Sequence, residues 1–131
     1  MSQENVEKML ASLDAFARND VPALLRLADP QVQFEPQLAA LQGTYVGHDG
    51  LREFYADAWE NLKVIGVDCP DVRDLGDRVL AIGTFRIGGT GSGIETDAPF
   101  AILATFQDGL ISHLKDYGET SQALEAAGLS E

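Results

Sequence analysis

The chain is poor in the residues that most often advertise a chemistry. Cys69 is the single cysteine among 131 residues, which excludes an internal disulfide and a cysteine-built zinc site. The two histidines, His48 and His113, lie far apart in sequence and form no metal-ligand motif. Lysine and arginine total 9 against 21 aspartates and glutamates, a formal charge of -12. Nucleic acid and anionic membrane surfaces both attract clustered cations, so neither is expected as a partner. No apolar run approaches the length of a membrane span, and the polar start Met1-Ser2-Gln3-Glu4-Asn5 lacks the basic and apolar regions of a secretory signal. The expectation is a cytoplasmic protein with no metal and no cofactor.

What the chain does have is a hydrophobic content of 45%, enough for one buried core, and residues 1–131 read as a single domain. Val6, Met9, Leu10, Leu13, Phe16 and Ala17 recur at helical spacing, and a short second helix, capped by Asp20, follows to Ala28. Gln31 to Pro36 alternates as a strand, with Gln33 and Glu35 on one face and Val32 and Phe34 on the other. Residues 37 to 46 read as a loop. Leu51, Phe54, Tyr55, Ala58, Trp59 and Leu62 then mark the clearest helix, in which the Tyr55 hydroxyl and Trp59 indole want partners wherever they are buried. From Lys63 the period becomes strand-like. Strands are expected over Val64–Val72 (broken at Cys69-Pro70), Arg78–Ile87, Ile94–Phe106 and Leu110–Tyr117, with a last helix from Thr120 stopped by Gly128. The run Gly88 to Gly93 is not a phosphate cradle, because neither the lysine nor the following helix of such a loop is present. It reads as a hairpin loop or a pocket rim.

Asp108-Gly109 between two apolar runs predicts a two-residue hairpin turn. With unbroken pairing, Phe106 faces Ile111, Thr105 faces Ser112, Leu103 faces Leu114 and Ala101 faces Asp116. Thr105, Ser112, Leu103, Leu114, Ala101 and Asp116 then share one face. Phe100, Ile102, Phe106, Ile111 and Tyr117 share the other with His113 and Lys115. A single bulge would exchange these faces. The first face offers a candidate site around Asp116. The second offers an apolar patch that suggests a homodimer through the outer side of the sheet.

Helices around one strand, then four consecutive strands and a short C-terminal helix, describe an α+β fold. In it a cone-shaped, strongly curved and mostly antiparallel sheet is wrapped by the N-terminal helices. Such a cone is filled by side chains or by a ligand. Leu27-Ala28-Asp29-Pro30 through Phe34-Glu35-Pro36, Gly47-His48-Asp49-Gly50-Leu51-Arg52-Glu53-Phe54-Tyr55, and Asp108-Gly109-Leu110-Ile111 through Asp116-Tyr117 with Ala123-Leu124-Glu125-Ala126-Ala127-Gly128-Leu129 resemble the nuclear transport factor 2-like superfamily. Within it they are most similar to the SnoaL-like and ketosteroid-isomerase-like proteins. The resemblance implies a catalytic acid at Glu35, as in the isomerases, and another at Asp116, as in the cyclases and epoxide hydrolases, with Tyr55 in a supporting hydrogen-bond network. The isomerases' main oxyanion tyrosine falls at about Ser12 and their protonated acid at Ala101 or Ile102, so neither donor is present.

Together these readings give catalytic candidates Glu35 and Asp116. The substrate-binding candidates are Gln33, Tyr55, Trp59, Leu103, Ser112 and Leu114, with Arg86 as further polar company. The expected function is binding of a small hydrophobic cyclic molecule, with isomerase, cyclase or hydrolase type proton transfer. The alternatives are a non-catalytic carrier and a dimeric interaction module.

Overall fold

The computed structural model describes residues 2–37, 43–89 and 93–129. Helix α1 (Ser2–Ala17) and helix α2 (Val21–Leu27) lead into strand β1 (Ala28–Glu35). A two-residue strand β2 (Tyr45–Val46) precedes helix α3 (Gly47–Asn61), and strands β3 (Leu62–Asp74), β4 (Arg78–Gly89), β5 (Glu95–Gln107) and β6 (Leu110–Asp116) follow before helix α4 (Thr120–Ala126). The six strands form one sheet in the order β2-β1-β6-β5-β4-β3. Every pairing is antiparallel except β1 with β6. The α+β fold read from the sequence is the one observed. Strand β2 falls inside the expected loop of residues 37 to 46, where residues 38–42 lie outside the described ones; so do 90–92 of the expected glycine loop.

Local signals account for most boundaries. Asp20 caps α2 by accepting the Ala23 N–H at 3.2 Å, with Pro22 in the first turn where its missing N–H is harmless. Asp108 and Gly109 take φ of 53° and 79°, the positive pair that a two-residue hairpin turn needs. Two contacts tie α1 to one end of the sheet: Asn5 Nδ2 donates to the Gly76 carbonyl at 2.9 Å, and Lys8 Nζ to the Gly109 carbonyl.

Helices α1, α2 and α3 cover the inner face. Met9, Leu13, Phe16, Leu24, Leu51 and Phe54 meet Val32, Phe85, Ile102 and Leu114 there. A smaller cluster lies on the outer face, where Ala123 and Leu124 of α4 and the following Ala127 pack on Leu80, Ala101 and Leu103.

The register of the β5–β6 hairpin differs from the unbroken pairing. Phe106 pairs with Ile111 as expected, but Thr105 pairs with His113, Ala104 with Leu114 and Ile102 with Asp116. Ser112 is therefore an extra residue on β6, a bulge whose hydroxyl donates to the Thr105 carbonyl at 3.1 Å. This one residue turns β6 over relative to β5. Phe100, Ile102, Phe106 and Ile111, expected on an exposed outer patch, are 2%, 7%, 6% and 0% exposed and belong to the inner core. Leu103, expected beside Asp116 in the pocket, lies on the outer face beneath α4. The apolar patch that suggested a dimer interface is thus the floor of the core, and only Tyr117, with Lys115 Nζ 5.0 Å from its ring centre, remains on the outer side.

Gly83 is also placed by packing. It faces inward, where β3 bulges between Asp68 and Asp71 and folds over it. A Cβ there would lie 2.1 Å from the Asp68 carbonyl oxygen and 2.8 Å from Cys69 Cα. Its small size serves the close approach of two backbones.

Candidate functional site

The inner face carries a partly open cavity of about 50 Å³ lined by α1, α2, β1, α3 and the central strands. By the volume one water needs, that is room for roughly three to five waters. Its walls are apolar. Met9, Leu13 and Phe16 come from one face of α1, Leu51 and Phe54 from α3, Phe34 from β1, and Phe85, Ile102 and Leu114 from the sheet. The rings brace one another at centroid distances of 4.7 to 5.6 Å for Phe34–Phe54, Phe16–Phe85 and Phe16–Phe54. Pro36 and Gln37 follow β1 along the lining.

Few polar groups interrupt this surface. Asp116, at the end of β6, is 6% exposed. Its Oδ1 accepts the backbone N–H of Ala101 at 3.1 Å and of Gly118 at 2.9 Å. Oδ2 accepts no hydrogen bond among the described residues. Burial raises its pKa above the usual carboxylate range, and the two N–H groups oppose that without cancelling it. Gly118, with φ of 76°, adopts the turn that brings its N–H back onto the carboxylate.

Tyr55 also lines the cavity and is 3% exposed, and its hydroxyl has no partner among the described residues. Burial raises its pKa, with the nearby charge of Asp20 adding to the shift, so the phenol stays protonated and is a donor. Ser12, the position where the resemblance lacked an oxyanion tyrosine, lines the cavity with its Oγ donating to the Met9 carbonyl at 2.6 Å.

The expected site residues divide. Asp116, Tyr55 and Leu114 come together at the cavity. The others do not. Trp59 packs beside the core with its indole N–H buried and without a partner among the described residues, but it is not among the lining residues. Ser112 is spent on the bulge, and Leu103 on the outer cluster. Gln33 is exposed, opposite His113. Arg86 is on the outer face, bound to Glu95 at 3.1 Å and Asp97 at 3.0 Å.

Glu35 is the main correction. Beside it in the parallel pairing runs β6, so it shares the outer face with His113 and Lys115. His113 Nε2 sits 2.7 Å from Oε2, and Lys115 Nζ 3.6 Å from Oε1. The hydrogen bond from His113 is the largest cause of a lowered Glu35 pKa; the charge of Lys115 adds to it against some desolvation. A group with a depressed folded pKa contributes stability above its unfolded pKa, and that contribution is lost as pH falls through the folded one. With the Glu35 side chain 32% exposed the effect is small. Glu35→Gln is therefore expected to change stability by less than about 1 kcal/mol and to leave ligand binding in the cavity as it was. Denaturant melts and a ligand titration check both.

Sequence reasoning missed much of the cavity wall. Met9, Leu13, Phe16, Phe34 and Ile102 were legible as apolar stripes but not as pocket residues, since core and pocket use the same pattern.

No curated protein matches the chain. Among solved structures it is similar to TerC crystallised with polyporic acid, at 25% identity and a TM-score of 0.75, covering 95% of this chain and 98% of that one. A ketosteroid isomerase-like fold protein from Catenulispora acidiphila, in complex with trimethylamine, matches at 21% identity and a TM-score of 0.75 over 95% of this chain and 94% of that one. A candidate polyketide cyclase from Xanthomonas campestris matches at 17% identity and a TM-score of 0.71 over 95% and 97%. These likenesses bear on the fold. Residues 7–114 match the SnoaL-like domain across most of the chain, and the protein belongs to the SnoaL-like domain family.

Proposed function

We propose that the cavity binds a small, mostly apolar cyclic molecule and that Asp116 moves a proton to or from it, in chemistry of the isomerase, cyclase or hydrolase type. One observation carries the reading: a carboxylate buried against apolar walls, fixed through one oxygen by two backbone N–H groups and, among the described residues, without a hydrogen bond at the other. Fixing Oδ1 sets the orientation of the carboxyl plane, while burial brings its proton affinity closer to that of weak carbon and oxygen acids. Tyr55, a lining residue whose buried hydroxyl has no partner among the described residues, becomes a donor for charge developing on a substrate oxygen if its side chain shifts toward the cavity. A single such donor stabilises less than a paired set, which suits modest rates on an activated substrate. Polyporic acid in TerC supports an organic ligand for a fold of this kind.

Proton abstraction next to a carbonyl can be read without the natural substrate. In heavy water, the wild-type protein is expected to speed deuterium exchange at the carbons flanking the carbonyl of cyclohexanone, and Asp116→Asn to lose that acceleration. Equal exchange by the two proteins would remove Asp116 from the chemistry. Binding without exchange in either would make the protein a carrier.

The proposal extends to a homodimer through the outer sheet face. The supporting feature is the half-buried strip of Glu35, His113 and Lys115 on the parallel pair β1 and β6. Because it carries both signs of charge, a two-fold axis can set Lys115 of one copy against Glu35 of the other. Light scattering at micromolar concentration is expected to give twice the chain mass, and a monomer there ends this part of the reading.

A further inference from the structure

The polar side chains of the cavity lining are Ser12, Gln37, Tyr55 and Asp116. Ser12 Oγ gives its hydrogen to the Met9 carbonyl and keeps only lone pairs. The Tyr55 hydroxyl is buried out of reach of a water-sized molecule and serves only after its side chain moves. Asp116 is the acid. Gln37 differs from all of them. It is exposed, where every other lining residue is buried except the half-buried Phe34, so the open side of the cavity lies at Gln37. Its side-chain amide, with two N–H groups to give, makes no hydrogen bond among the described residues. Its stem also rests beside the turn that holds the acid. A Cβ on Gly118 would lie 3.9 Å from Gln37 Cβ and 4.0 Å from Cγ, and the Gly118 N–H donates to Asp116 Oδ1 at 2.9 Å. Buried Pro36, its φ locked by the ring, anchors the chain just before Gln37.

The volume decides where the polar end of a ligand lies. About 50 Å³ is less than a six-membered ring occupies, so a cyclic molecule enters only in part. Apolar atoms go in against the apolar walls, and a carbonyl stays in the mouth, where burial does not strip it of partners. Resting on the reading of Asp116 as the acid-base group, we infer that Gln37 is the donor for the substrate oxygen, its side-chain N–H groups holding that carbonyl while the adjacent carbon faces Asp116. In the step itself, the C–H bond next to the carbonyl breaks and its proton passes to Asp116 Oδ2. The electron pair forms a carbon–carbon double bond, and the carbonyl pair moves onto the oxygen, whose negative charge the Gln37 N–H groups stabilise. Return of the proton to carbon reverses the step.

Two variants of the full chain test this with cyclohexanone as the probe. Gln37→Leu removes the amide, and Gln37→Glu keeps its size and shape while replacing the N–H groups by an acceptor at neutral pH. Both are expected to melt with wild type, because Gln37 is exposed. In heavy water both are expected to slow deuterium exchange by about 10- to 100-fold, the worth of one hydrogen bond to a charged group. An enclosed donor is worth more, but the mouth is open to water. Binding of cyclohexanone, followed by chemical-shift titration of isotope-labelled protein, is expected to weaken far less than the rate, because the neutral carbonyl needs the donor less than the enolate does. Exchange at the wild-type rate in Gln37→Leu overturns the inference. So does a loss in Gln37→Leu that Gln37→Glu does not share, or a loss of rate matched by an equal loss of binding.

The outcomes separate this inference from the acid-base reading. Exchange lost in Asp116→Asn but kept in Gln37→Leu leaves the acid-base chemistry and removes Gln37 as its donor. Exchange lost in both Gln37 variants but kept in Asp116→Asn leaves the donor and removes Asp116 as the base. Wild-type exchange no faster than in buffer alone overturns both.

Discussion

Asp116→Asn is expected to lower turnover by roughly 100- to 10,000-fold, the usual worth of a positioned acid-base group, while melting no lower than wild type at neutral pH. The two halves have one cause. The asparagine carbonyl can keep accepting the N–H groups of Ala101 and Gly118, so the turn at the end of β6 survives. What it loses is the ability to carry a proton. Burial raises the pKa of Asp116 in the folded state, so the neutral acid is the form the fold favours. Stability from a raised pKa is present below the unfolded pKa and lost as pH rises through the folded one. Wherever the carboxylate is ionised it is a cost to the fold, and the amide removes that cost. The advantage of the variant in thermal melts should therefore shrink as pH falls into the carboxylate range. Unchanged turnover, or a large drop in melting temperature, would contradict this account. A gain in stability with a loss of activity is also how a functional group differs from a structural one.

The second large effect is structural. Gly83→Ala should destabilise by about 3 kcal/mol or more and lower the melting temperature by roughly 10 °C. The methyl group would press into the Asp68 carbonyl and the Cys69 Cα, backbone atoms with no rotamer to change. Relief requires β3 to lift from β4 at its bulge, which costs ladder hydrogen bonds and the covering of Phe100. Gly66→Ala is the control: it lies on the same strand pair, meets nothing within 4 Å and lacks a positive φ. It is expected to be neutral or to gain up to about 1 kcal/mol by restricting the unfolded chain. Similar melting curves for the two variants would show that β3 can yield.

Much of this was legible in the chain. Helical stripes, capping residues and the Asp108-Gly109 turn specify nearly every element, because each is written in neighbouring residues. The site was legible only in part. Asp116, Tyr55 and Leu114 were found, but the pairing that carried Asp116 into the pocket was wrong in register, and Leu103 and Ser112 went with it. Nothing in Leu110–Asp116 marks Ser112 as the extra residue, since a bulge is decided by what β5 and the helices need to bury. For Glu35 the alternation of Val32 and Phe34 was the better guide, as it already turned the acid outward. The resemblance pulled it in. That β1 runs parallel to β6, and so offers Glu35 to His113 and Lys115, is a long-range fact that no window of sequence contains.

That same parallel pair sets how the chain can reach its fold. Strand β1 sits between β2 and β6, so the middle of the sheet stays open until the last of the six strands arrives, as the 78-residue separation of Glu35 and His113 illustrates. Hairpins β3–β4 and β5–β6 can form early from neighbouring residues, and α1 packs on β3 and β4, but α2 and α3, which pack on β1, have no complete surface until β1 docks beside β6. Loop closure over such distances slows folding. During synthesis the apolar stripe of Met9, Leu13 and Phe16 is therefore made well before the strands that cover it and stays exposed until they follow.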